Sequence, residues 1–528
     1  MRIMKPITLL ASTLIFTASA IMAATKATSV TRHNITWTFD KEYEIGQFVN
    51  GDWWVLGPVK ITAITNDLSD KSFLPTDGTA VSGSMVNPIV DTPKRQPGEQ
   101  AATYNKRVNA HGYDERLNHY NEELNAALPS GKPLSTDNPL ILKPSSSLMS
   151  VVSWLYHTPA DKEPGAPKVP DPPESWHMRP ALRAAAVLTV LDKAPPVGSF
   201  RPAYAGTEKR MFNVSQIKRD RLRGFAPFGF TSTEAVNPDD PASVFRNLNT
   251  EINANRLIRA TERVWLDHIP SWWGGEACHP SLNIPNYGRE ISYVLMHSML
   301  ALNLDWTKIE GFTQEQKDQL LINILQIGID SAGAADAGSF WDFNGGHHAG
   351  RKPVILFTGL LLDDKHMKSV GQWDWPCHDN DSVFYVTEEH VALSNNEDRW
   401  KPDKRTKIRA PYTKEMIGMP EWGFRPEGIN AGWDHPYRSN NAGYIVGFAL
   451  LFTIMEDGRK LFNHEVYFDY ADRILSGGDL LDYRGSYERL SPFVREMWEL
   501  HRKDYPSTYD KKFDDPKIIE YITTRTEE

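Results

Sequence analysis

The chain has 528 residues and a formal net charge of −9, with no basic block, which excludes nucleic acid and anionic membrane surfaces as natural partners. Two cysteines, Cys278 and Cys377, are too few for a disulfide scaffold, although a bridge between them is allowed in an oxidising compartment. About 500 residues are too many for one ordinary core, so two domains are expected.

Residues 1–23 read as a secretory signal peptide: Arg2 and Lys5, an apolar core from Ile7 to Phe16, then small residues with cleavage after Ala20 or Ala23. That core is shorter than the roughly 18 residues a membrane span needs. The expectation is an exported protein, periplasmic or secreted, with no membrane insertion.

Residues 31–205 read as a β-sandwich-like domain. Asn34–Asp40, Trp53–Ile64, Leu148–Leu155 and Ala184–Leu191 are rich in Val, Ile, Thr and aromatics and are separated by Gly, Pro, Asn and Asp clusters. A long polar insertion occupies Lys94–Leu128. In Gln47–Trp54, QFVNGDWW, the Asn50-Gly51-Asp52 turn signal predicts a hairpin whose tryptophans pack the sheet. Pro195–Asp220 reads as a crossing segment.

Residues 206–510 change to helical periodicity. Val244–Trp265, Arg289–Leu304, Gln314–Ser331, Pro353–Leu362, Tyr437–Met455, Glu465–Leu475 and Pro492–Arg502 place apolar residues three and four apart. Asp305 is expected to close the second helix and Thr313–Glu315 to open the third. Successive helices with long polar loops predict antiparallel helical hairpins forming a complete or incomplete (α/α) toroid. The fold class is therefore α+β multidomain, with residues 511–528 as a tail.

Three helix-preceding segments concentrate chemistry. Ser339–Arg351, SFWDFNGGHHAGR, sets Asp342, Asn344, His347, His348 and Arg351 among three glycines. Ser271–Glu290 carries Trp272, Trp273, Glu276, His279, Asn283, Tyr287, Arg289 and Glu290. Trp422–Asn441 carries Arg425, Glu427, Trp433, Asp434, His435, Tyr437, Arg438, Asn440 and Asn441. In a toroid, loops before alternate helices emerge on one face, so the three are expected to converge on a cleft. Between the last two motifs runs a long excursion, Gly371–Lys414, with Trp373, Trp375, His378, Tyr385 and His390; such loops are usually functional or disordered. Sixteen tryptophans and nineteen tyrosines overall suit a carbohydrate cleft, because their faces are apolar and their edges form hydrogen bonds. One of His347 and His348 is expected to be structural, since adjacent residues on an incipient helix point apart. No HExxH, cysteine pair or helix–loop–helix calcium loop is present, nor a phosphate-binding GxxxxGK[ST], a GxGxxG or a GxSxG. No metal or cofactor is expected.

An exported β domain, a helical domain, NYGRE before one helix, NGGHHAGRKP before another and a HEVYFDYADR helix together resemble the (α/α)-toroid polysaccharide lyases, the alginate lyase and heparinase-like relatives, over Trp272 to Arg473. The resemblance implies β-elimination on a uronic-acid-containing polysaccharide. The residues support the same chemistry independently, because elimination needs a neutraliser for the uronate, a base for the C5 proton and an acid for the leaving oxygen. Tyr287 is the candidate base or acid and His347 its proton-transfer partner. Asn344 and Arg289 are the candidate neutralisers, and Arg438 or Tyr437 serves a neighbouring subsite. Trp272, Trp273, His279, Asp342, His348, Arg351, Trp433 and Asn441 complete the expected substrate-binding set. Two alternatives stay open. One is a glycoside hydrolase using a pair among Glu276, Asp342, Glu427 and Asp434, with carboxylates roughly 5 Å apart for retention or 6.5–9.5 Å for inversion. The other is a non-catalytic glycan-binding protein.

Overall fold

The computed structural model describes residues 25–66, 80–88, 113–114, 119–120, 134–154, 182–227, 231–232, 252–267, 288–341, 348–396, 412–423, 437–476 and 490–506. The expected signal peptide and C-terminal tail lie outside them, as does most of the polar insertion. The architecture is mixed α+β: one curled sheet in the N-terminal part, then helices.

The sheet is built on β1 (Thr25–Arg32), β2 (Ile35–Gln47), β3 (Trp53–Leu56), β4 (Val59–Asn66) and β5 (Ala80–Val86). After a two-residue ribbon, β6 (Tyr113–Asp114) with β7 (His119–Tyr120), it continues with β8 (Leu140–Leu142), β9 (Ser146–Trp154) and β10 (Leu182–Leu191). β3 and β4 follow one another along the same long strand β2, antiparallel to it. Beyond β3 the sheet continues through β10, β9 and β5, and beyond β4 it continues to β8. Splitting the sheet at this point curls it into a half-barrel around Trp37, Phe39, Val55, Ile61, Leu148 and Leu188.

β10 explains how the sheet meets the helices. Side chains alternate across a strand, and here both faces are buried: Ala184, Ala186, Leu188 and Val190 face the half-barrel, while Ala185 and Val187 join the helical core. A strand covered on both sides reads as an unbroken apolar run, and AAAVLTVL is such a run. The turn at Gln47–Trp54 forms as read, with Gly51 at φ 83° and Trp54 buried. Its Asp52 is not a loose turn residue. Arg201, fully buried in the crossing segment, donates from Nε to Asp52 Oδ2 at 2.6 Å and from Nη1 and Nη2 to Asp330 at 2.9 and 2.5 Å. One guanidinium thereby ties the sheet to a helix.

The main helices are α1 (Ala254–Thr261), α2 (Gly288–Leu302), α3 (Gln314–Asp336), α4 (Arg351–Leu362), α5 (Tyr437–Ile454), α6 (Glu465–Ser476) and α7 (Pro492–His501). α1 is shorter than its periodicity suggested, because Ile252–Asn253 is extended and the Asn253 side chain caps the helix by accepting from Arg256 N. Thr313 and Gln316 form a reciprocal capping box at the start of α3. Asp305 caps the short turn Trp306–Lys308 that follows α2 rather than closing α2 itself. All twelve residues of α4 are buried, which accounts for its lack of a polar face. α5 meets α2 through Gly443 and Gly447: a Cβ at either would fall 2.3 Å from Tyr293 Oη or Met296 Sδ. Among the described residues no helix is long and apolar enough to cross a membrane.

Candidate functional site

The helices that follow the three chemistry-bearing segments are α2, α4 and α5, and they meet at one residue. Gly350 precedes α4 in a left-handed conformation, φ 92°. A Cβ on it would lie 3.2 Å from Leu295 Cδ1 and 3.4 Å from Ser292 Cα, both on α2, and 3.4 Å from Phe448 Cζ on α5. That backbone favours glycine, and a Cβ there would press on both α2 and α5. His348, two residues earlier, is also left-handed (φ 69°) and fully buried.

A buried polar frame surrounds the junction. The N-cap residue Gly350 has no side chain to accept from the first turn of α4, and the acceptor comes instead from the short helix His378–Asp381. The Asp379 carboxylate accepts from Gly350 N at 3.0 and 3.1 Å and from Lys352 N at 3.3 Å, a carboxylate at the positive end of a helix. Burial nevertheless pushes its pKa up to about 6, outweighing these N–H donors and the Lys352 ammonium. Burial pulls Lys352 down to about 8; its Nζ donates to Asn380 Oδ1 at 2.5 Å and lies 4.0 Å from the Phe462 ring centre.

Arg351 donates from Nη2 to Asp267 Oδ1 at 2.9 Å and from Nη1 to Ala349 O at 3.1 Å, with both members of the ion pair almost inaccessible. Asp267 also accepts from Ser331 Oγ at 3.2 Å, and its carbonyl accepts from Ser339 Oγ at 2.7 Å. On the other side, Tyr444 donates its hydroxyl to Asn441 Oδ1 at 2.9 Å, and its oxygen lies 3.1 Å from His378 Nε2. A protonated Nε2 satisfies both bonds at once. The backbone of His378 donates to Trp341 O at 2.7 Å. Near this chain the Tyr467 hydroxyl is buried with no hydrogen-bond partner among the described residues, and burial holds its pKa well above the ordinary range. His297 on α2 is likewise enclosed, and burial pulls it down to about 3, so it is a neutral core imidazole.

The feet of the three segments are thus tied together. Asp267 is the last described residue before 268–287, Trp341 and His348 flank 342–347, and Asn441 lies in the first turns of α5 after 424–436. Of the expected site residues, His348, Arg351 and Asn441 are described, and all three are buried in this frame. Arg289, Tyr437 and Arg438 lie in the first turns of α2 and α5. Tyr287, His347, Asn344, Trp272, Trp273, His279, Asp342 and Trp433 lie outside the described residues, as do Cys278, Glu276, Glu427 and Asp434. Cys377 is a buried thiol. The sequence did not single out Asp267, Lys352 or Tyr444 as site residues; each sits in or beside an apolar run and reads as core. His378 was noted within the long excursion Gly371–Lys414; among the described residues no group of three His, Cys, Asp or Glu could hold a metal ion.

No protein-family model, curated protein or solved structure matches this chain.

The frame has a pH signature. The folded Asp379 carboxyl takes up its proton near pH 6, and the unfolded one near its ordinary 3.8. Between those values the folded chain binds more protons, so this group's contribution to stability improves as pH falls from 6 towards 4 and is least favourable above 6. The difference amounts to roughly 3 kcal/mol. In urea titrations, Asp379→Asn is expected to flatten the stability profile over that interval relative to wild type. An identical slope in both proteins would assign the effect to another group.

Proposed function

We propose that this protein is an exported polysaccharide lyase that cleaves a uronic-acid-containing polysaccharide by β-elimination. Its helices are proposed to form an (α/α) toroid, and its N-terminal part a β-sandwich-like domain. The observation that supports the reading is the meeting of α2, α4 and α5 at Gly350, because these are the helices that follow the segments bearing Tyr287, Asn344, His347 and Arg438. A buried frame of ion pairs and hydrogen bonds under those segments is the support a reacting site needs, since first-contact groups must be held rigidly from behind.

In the proposed reaction Asn344 and Arg289 neutralise the substrate carboxylate, which makes the C5 proton acidic. Tyr287 and His347 exchange the protons: one removes H5, the electrons form the C4–C5 double bond, and the other protonates the departing O4. Trp272, Trp273, His279 and Trp433 offer ring faces and edges to neighbouring sugars, and Tyr437 or Arg438 serves the next subsite. The Asp267–Arg351 pair and the Asn441–Tyr444–His378 chain hold the segments from below.

The test is the ultraviolet absorbance of purified protein incubated with alginate, glucuronan, ulvan, pectate and glycosaminoglycans. At least one is expected to yield an unsaturated uronate end, and Tyr287→Phe or His347→Ala to slow its formation at least ~100-fold. Full turnover by both variants would overturn the assignment. New reducing ends without absorbance would transfer the chemistry to Glu276, Asp342, Glu427 and Asp434 and make the protein a hydrolase. A shift in melting temperature with a glycan, without product, would make it a binding protein.

A further inference from the structure

A concavity is lined by none of the residues that meet at the Gly350 junction. The crossing segment 203–212 and the last turns of α3 enclose a cavity of about 580 Å³, within the size range of small-molecule sites. Its floor is apolar, with Ala203, Ile329 and Met367, and its mouth carries Glu208, Arg210, Asp336 and His366. The two basic side chains at the mouth each lie against a carboxylate: His366 Nε2 is 2.7 Å from Asp336 Oδ1, and Arg210 Nη2 is 2.9 Å from Asp364 Oδ1. Glu208 is exposed.

An aromatic run starts at this mouth. The His366 ring stacks on Trp373 with centroids 4.6 Å apart, Trp373 meets Trp375 at 5.4 Å, and Trp375 meets Trp341 at 5.2 Å. Trp373 and Trp375 are partly exposed, whereas Trp341 is buried. The Trp375 indole nitrogen is buried with no acceptor among the described residues, although a buried indole N–H usually finds one. Trp341 immediately precedes residues 342–347, so the run leads from the cavity to the foot of the glycine-bearing segment.

We propose that the cavity and its indole run form a binding site for neutral oligosaccharides, distinct from the reaction site. An apolar floor accepts the C–H face of a sugar ring, carboxylate and guanidinium groups at the mouth hydrogen-bond its hydroxyl edge, and partly exposed indoles extend the platform. The charge decides for neutral units: an incoming uronate would face the exposed Glu208, while Arg210 and His366 each already lie against a carboxylate. This site stands whether the chain is a lyase, a hydrolase or a binding protein.

Calorimetry and intrinsic tryptophan fluorescence on the full chain test it, with cello-, xylo-, manno- and galacto-oligosaccharides against uronate oligosaccharides. At least one neutral series is expected to bind and to change the fluorescence. Glu208→Ala combined with Asp336→Ala, and separately Thr207→Trp at the exposed mouth, are expected to weaken that binding ~10-fold or more, which is about 1.4 kcal/mol. The melting temperature should stay within a degree or so, because exposed pairs stabilise little. Trp373→Phe should remove most of the fluorescence change. Absence of binding by every neutral series, binding left intact by both cavity variants, or a preference for uronate oligosaccharides that those variants abolish would each overturn the proposal.

Discussion

Arg201→Met is expected to lower the unfolding free energy by roughly 3–5 kcal/mol, because it leaves buried carboxylates without their cation. The Arg201 side chain is inaccessible, and those of Asp52 and Asp330 are 7% and 5% exposed. Burial pulls the guanidinium down, but the two carboxylates outweigh it and hold its pKa above the ordinary arginine value. Asp52 keeps a second partner in Arg32, at 3.1 Å, so the loss falls mainly on Asp330. Asp330 lies in α3 among Ile327, Ile329 and Ala332, all buried, where an unpaired charge is expensive. Adding Asp330→Leu to Arg201→Met is expected to recover most of the loss, because removing both partners leaves no uncompensated charge there. Chemical denaturation of the single and double variants against wild type checks this. A single-variant loss under about 1 kcal/mol would mean that the sheet and helices are joined by their apolar contacts alone.

Gly350→Val is expected to cost about 3 kcal/mol or more and to abolish the proposed eliminative activity. The backbone at φ 92° is strained for any residue with a Cβ, by roughly 1–3 kcal/mol. The contacts at 3.2–3.4 Å to Leu295, Ser292 and Phe448 leave no room for the two further methyl groups, and overpacking adds about 1–3 kcal/mol. Gly350→Ala separates the two effects, since it carries the backbone strain and asks its neighbours to give only a few tenths of an ångström. Under the proposed function it should melt lower yet fold, with turnover falling more steeply than stability, because the three helices that carry the site must shift apart. Wild-type turnover in a folded Gly350→Ala protein would show that this junction does not position the reacting groups. Denaturation midpoints and ultraviolet product formation, measured on the same samples, decide between these outcomes.

The elements were legible because their signals are local. The apolar run over Ala184–Leu191 and three–four spacing over Pro353–Leu362 and Tyr437–Met455 predict β10, α4 and α5 to within two residues of their bounds. Thr313 announces its helix through a side chain that reaches only three residues ahead. The three site segments were visible in the same way, as polar, glycine-bearing stretches before apolar runs, and His348, Arg351 and Asn441 were named from them. Their partners were not. Asp379 caps α4 across 29 positions, Asp267 pairs with Arg351 across 84, and Arg201 with Asp330 across 129. An acid inside an apolar run reads the same whether it will meet a cation or not. By itself the sequence determined where the chain becomes strand or helix and which segments carry polar chemistry, since both follow from neighbours along the chain. Only the tertiary structure decided that α2, α4 and α5 meet at Gly350 and which buried charges neutralise one another, because desolvation and ion pairing depend on distance in space.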